Sequence, residues 1–263
     1  MIGRVSAIAL NTFREAVRNK VLYLLLFFAV ALIASALGLG QMSLHEEARV
    51  TRDLGLGGMA LFGVLIAIFV GVNLVYKELD KKTVFSLIPK PLHRHEFILG
   101  KFAGMVVTLF VQMAVMSLVL FAVLWRQGAD VDAAVLQAVV LLFFEVVVIT
   151  AVAVLFSSFS TPFLSGAFTL GIFFVGRSMP ELREVIGKLG SSTTKNILLG
   201  LTRIFPDLHI FYVSGSMLDG RRATVHGVYV DWSYVGVAGG YGALYAAVAL
   251  GLAMFLFSRR DFV

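Results

Sequence analysis

A chain of 263 residues that is 59% hydrophobic and 14% charged carries too few polar side chains to coat a soluble domain. The formal net charge of +6 is scattered between apolar stretches rather than gathered in a separate basic domain, which argues against nucleic acid as a partner. With no cysteine there is neither a disulfide framework nor a thiolate metal site. What remains is an all-α polytopic membrane protein, a single domain over residues 1–263. Its six apolar stretches, 21–40, 57–76, 97–124, 133–156, 163–175 and 233–257, show none of the alternation of a β-barrel.

Residues 4–18 begin the chain with apolar positions at helical spacing (Val5, Ile8, Ala9, Thr12, Phe13, Ala16, Val17) opposite Arg4, Asn11, Arg14, Glu15 and Arg18. A basic amphipathic helix beside a span lies in the lipid interface, either as a plain anchor or as an elbow, residues 1–20, that passes motion into the first span. The Ala34-Ser35-Ala36 stretch mimics a signal-peptide cleavage site, but the long patterned basic region favours an uncleaved first span. Six spans put both termini on one side. The short segments 1–20, 77–96, 157–162 and 258–263 hold most of the Lys and Arg outside the long segment 176–232, so that side is the cytoplasm. Trp125, Trp232 and Tyr234 then anchor the outer interface, and Tyr23 and Tyr76 the inner one.

The loop after the second span is the most informative part. Glu78 and Asp80 lie among lysines, the apolar set Val84, Phe85, Leu87 and Ile88 follows, and Pro89-Lys90-Pro91 breaks the helix before another starts near His95. This reads as a cytoplasmic hairpin over 77–96 with an apolar knob suited to a partner's cleft; a merely solvated loop would not need Phe85, Leu87 and Ile88. His93-x-His95 sits beside Lys90 and Arg94 and reads as solvated loop rather than a metal site. Met105, Met113 and Met116 read as lipid-facing or core residues rather than a copper path.

Glu145 is the one ionisable residue deep in a span. Its charge should face protein, with Asn73, Gln112 and Thr150 as candidate partners, in either a functional or a helix-holding role. Small residues recur every four positions at Gly63, Ala67 and Gly71, and at Gly239, Ala243, Ala247 and Gly251. They are read as packing faces within one subunit rather than as a dimer interface. The fifth stretch is too short to cross the bilayer. After it, Ser178-x-x-Glu181 reads as a capping box for a helix to about Leu189, and a second apolar helix covers 196–205. The outer region 177–232 is too apolar for a free loop. Leu198, Leu201 and Phe205 are candidates for an outer gate, and 224–232 for a short hairpin around His226-Gly227.

Lys77-Glu78-Leu79-Asp80 with Thr83, Leu87-Ile88-Pro89 and Phe97-Ile98-Leu99-Gly100-Lys101 resemble the ABC-2-type transporter permease pattern. Residues 13–20 and 257–262 look like its two terminal signatures. The resemblance covers the whole chain and is closest to the subgroup of permeases for multi-copper enzyme maturation. It implies an exporter-type half-transporter in the cytoplasmic (inner) membrane, with re-entrant helices in the outer region. A second permease copy or a homologous permease would pair with it. A separate ABC ATPase would carry ATP and magnesium and dock on the 77–96 coupling loop through Glu78, Asp80, Thr83, Phe85, Leu87 and Ile88. Gly187-Lys188 and Gly100-Lys101 are followed by Leu189 and Phe102, so neither completes a phosphate-binding P-loop, and the chain itself is expected to be no enzyme and to bind no cofactor or metal. Two alternatives stand beside this reading. One is ATPase-driven force transmission to an extracytoplasmic partner without solute transport. The other is a secondary transporter or channel, which calls for polar residues through several spans.

Overall fold

The computed structural model describes residues 2–41, 47–80, 94–128, 133–188, 192–202, 204–213, 216–218, 221–223 and 230–258. An amphipathic helix, α1 (Ile2–Val17), is followed by α2 (Lys20–Gln41) and α3 (Glu47–Asp80). Next come α4 (Arg94–Arg126), α5 (Ala133–Ser157), α6 (Pro162–Arg177), α7 (Met179–Gly187) and α8 (Ser192–Thr202). A single 3-10 turn (Leu208–Phe211) and two three-residue strands, β1 (Ser216–Leu218) and β2 (Arg221–Ala223), precede α9 (Trp232–Ser258). The strands pair antiparallel, Ser216 opposite Ala223. The hairpin expected over 224–232 is thus preceded by one that the sequence reading missed, and residues 224–229 lie outside the described ones.

Helix α5 is the axis of the bundle. Its composition is apolar on every side, and a helix of that kind must be enclosed by others or by lipid. Here α3, α4, α6 and α9 surround it. Small residues set the distances. A methyl added to Gly71 would lie 2.7 Å from Ala153, one on Gly63 3.0 Å from Val146, and one on Gly239 2.8 Å from the Phe144 ring. Such backbones approach as closely as glycine allows, which is how helices associate where no hydrophobic effect drives them together.

The second small-residue series requires a correction. Of its members only Gly239 packs inside the subunit; Ala243, Ala247 and Gly251 lie on the exposed side of α9, with Val237, Leu244, Val248 and Leu252. The inward face of α9 is instead Val235, Ala238, Gly242, Ala246, Ala249, Ala253 and Phe257. A four-residue spacing drifts around a 3.6-residue helix, so the series crosses from one face to the other.

Two ends of the bundle are distinct. At one, α1 lies on α4, and Phe97 stacks on Phe257 with ring centroids 6.2 Å apart. At the other, the Thr51 hydroxyl donates to the Ala36 carbonyl and the Gln127 amide donates to Thr51. Among the described residues, five helices are long and apolar enough to cross a membrane. α6 and α7 together, bent by 63°, make a sixth candidate, as a broken span or a re-entrant loop. With 16 residues, α6 rises only about 24 Å, short of the roughly 30 Å hydrocarbon core.

Candidate functional site

The end of the bundle that carries α1 combines two features. The first is projection. α3 has 34 residues, about 51 Å against a hydrocarbon core of roughly 30 Å, and its last turn, residues 77–80, is the charged end that follows the apolar run 57–76. Glu78 and Asp80 sit on that final turn. Thr83, Phe85, Leu87 and Ile88 lie outside the described residues, between α3 and the start of α4 at Arg94.

The second feature is the seat of the elbow. Read as either a plain anchor or an elbow on the first span, α1 packs on the third span, α4. A β-carbon on Gly100 would sit 2.7 Å from Ile8, and one on Gly104 2.5 Å from the Ala9 carbonyl oxygen. Gly100-x-x-x-Gly104 is a close-approach motif that the sequence reading passed over in favour of the longer series. Two ion pairs bracket the contact: Arg4 to Glu96 at 3.7 Å and Lys101 to Glu15 at 3.6 Å, with Lys101 only 1% exposed. That lysine is enclosed between α4 and α1. Asn19, whose side chain accepts from the Val21 amide, starts α2 two residues after α1 ends.

Inside the membrane, Glu145 has no exposure and is held by Arg177, Nη1 to Oε1 at 2.9 Å. This corrects the expected partners. The Thr150 hydroxyl donates to the Val146 carbonyl of its own helix, and neither polar atom of the Gln112 amide has a hydrogen-bond partner. The Asn73 side chain lies outside the described ones. Arg177 ends the short α6 and reaches back along the membrane to the middle of α5, burying its stem as arginines do. Its guanidinium lies 3.7 Å from the Tyr212 ring centroid and 5.5 Å from that of Phe173. Two π-systems thereby lie within reach of an otherwise costly charge, beside the carboxylate that pairs with it. A span that is too short and ends in arginine was the available signal.

The cluster ties α5 and α6 to the segment 204–213. Gly176 admits that segment, since a β-carbon there would meet the Pro206 carbonyl oxygen at 2.5 Å. Tyrosines at helical spacing on α9 hold its other side. The hydroxyls of Tyr234 and Tyr245 donate to the carbonyls of Ile210 and Ile204, and Tyr241 accepts from the Asp207 amide. Arg183 on α7 pairs with Asp207 at 2.9 Å. The capping box is not formed: Ser178 stands at the start of α7 without a side-chain hydrogen bond. The second outer helix spans Ser192–Thr202, not 196–205, so Phe205 lies beyond it. Leu198 and Phe205 are half-buried, Ile197 and Ile204 are exposed, and the Leu201 side chain is outside the described ones. Where the chain re-enters the bundle, Asp231 caps α9; hydrogen bonds from the Ser233 hydroxyl and the Trp232 amide hold its carboxyl below the ordinary aspartate value.

Among the described residues no group of three or more His, Cys, Asp or Glu converges in the manner of a metal site. A search of curated proteins gives no match. The family model described as ABC-2 family transporter protein matches residues 6–262, which is nearly the whole chain and includes α1, every span and the last turn of α9. The chain belongs to the ABC-2 family of transporter proteins, as a multi-pass permease component of an ABC transporter.

Proposed function

We propose that this permease is an exporter subunit of the cytoplasmic (inner) membrane, with both termini in the cytoplasm. It works as one of a pair of permeases, driven by a separate ATPase that carries ATP and magnesium and docks on residues 77–96. The observation that carries this reading is the charged last turn of α3, residues 77–80, which follows the apolar run 57–76 on the end of the bundle where α1 packs on α4. Family membership implies an ABC ATPase partner, and that projection is where one would reach the permease first. Phe85, Leu87 and Ile88 supply the apolar anchor, Thr83 lies in the same segment, and Glu78 and Asp80 set the charge. A push on α3 or α4 passes to α1 through Gly100 and Gly104, and to α5 through the contacts at Gly63 and Gly71.

Replacing Phe85 with Asp is expected to abolish co-purification of the ATPase while the permease still inserts in the membrane. Full retention of the complex would sink the docking assignment.

At the far end, we assign the exit to the outer segment, with Leu198, Leu201 and Phe205 closing it. Single cysteines placed from 197 to 202 in this cysteine-free chain should react with an impermeant outside reagent with helical periodicity, slowest at 198 and 201. Uniformly fast reaction would mean an open loop and no gate.

A further inference from the structure

A cavity of about 440 Å³ lies between the 204–210 segment and the first turns of α9. Its lining includes Arg183, Phe205, Asp207, Tyr234, Val237 and Tyr241. That volume falls in the range of small-molecule sites. The position is unusual for one. Val237 is 75% exposed on the outward face of α9, so the cavity opens on the exposed side of this span. Counting from Trp232, Val237 lies about 8 Å and Tyr241 about 14 Å along α9, within one leaflet. At that depth the solvent is acyl chain, and a mostly apolar recess open to it fills with hydrocarbon rather than water.

The polar end of the cavity is specific. Arg183 and Asp207 form a pair of opposite charges at 2.9 Å, with Arg183 49% and Asp207 18% exposed. The pair presents no net charge, so it selects neither an anionic nor a cationic head. A zwitterion complements it. The guanidinium has five N–H donors and spends few on Asp207, which leaves others for a phosphate, and the carboxylate accepts from a small primary ammonium.

We propose that this cavity binds one zwitterionic phospholipid with a primary ammonium head, of the phosphatidylethanolamine class. One acyl chain enters past Val237, and the head spans Arg183 and Asp207. The lipid fills the gap between α9 and the outer segment, which the tyrosines otherwise hold by three hydrogen bonds. The site requires only that α9 face lipid, not the ATPase or gate assignments above.

The test uses the full chain in nanodiscs containing equal phosphatidylethanolamine and phosphatidylglycerol, followed by native mass spectrometry. Wild type should retain a single phosphatidylethanolamine adduct. Val237→Trp, which fills the mouth, should lower that occupancy about tenfold, an affinity change of about 1.4 kcal/mol. Leu244→Trp, on the same exposed face two turns along, should leave it unchanged. Asp207→Asn should remove the preference for phosphatidylethanolamine over phosphatidylglycerol. Equal adducts in Val237→Trp and wild type, or a wild-type preference for phosphatidylglycerol, would overturn the proposal. So would loss of the adduct in Leu244→Trp, since binding would then belong to the general lipid face of α9.

Discussion

Arg177→Ala is expected to destabilise the protein by about 3–5 kcal/mol, the usual result of removing one partner from a buried ion pair. Glu145 has no solvent exposure, and its Oε2 already lacks a partner, so the arginine is what compensates the carboxylate. The cost lies in the stranded charge, not in the contact itself. Replacing both residues with leucine should therefore recover most of the loss, because well-packed apolar groups can take the place of a buried pair at little net cost. Arg177→Lys tests the ring contact. It keeps the charge but not the flat group over Tyr212, and should fall between wild type and Arg177→Ala. Denaturant titration of the purified protein in detergent reads all three. A double leucine variant no more stable than Arg177→Ala would show that the pair holds something besides the charge.

Gly104→Val is expected to dislodge α1 from α4. The first atom of the new side chain would lie 2.5 Å from the Ala9 backbone oxygen and 2.6 Å from Thr12 Cβ, and backbone cannot step aside as a side-chain tip can. Overpacking of this kind costs typically about 1–3 kcal/mol. That matches the scale of what holds α1, an apolar stripe and two long ion pairs of which one partner each is partly exposed. Separation of the helices then relieves the clash more readily than distortion of α4 would. A cysteine at Thr12, a position with no exposure in the native fold, reports the outcome. It should resist a thiol reagent in the parent and react fast beside Gly104→Val; continued protection would mean that α1 shifts without leaving. If α1 relays motion from the coupling loop, the same variant should lower transport-coupled ATP hydrolysis while the ATPase still binds.

The sequence alone determined that the chain crosses a membrane and where its long spans lie. These are matters of composition and period: lipid accepts only backbones that satisfy their own hydrogen bonds, so an apolar run of sufficient length must be helix. The family signature was legible for the same reason, being a run of residues in order. Tertiary structure alone decided which residues meet. Glu145 was visible as a buried acid, but its partner is 32 positions away on another helix, and no period links them. Arg177 was read as an outer-loop charge because a count along the chain cannot show that α6 meets α7 at a bend of 63° and brings this side chain back to Glu145. The small residues of α9 failed in the opposite way. They carry a regular spacing, yet which side of a helix faces its neighbours depends on where those neighbours are, and Phe144 and Phe211 claim the face next to Ala243 rather than the one bearing it. Spacing fixes a stripe on one helix; only packing fixes what the stripe touches.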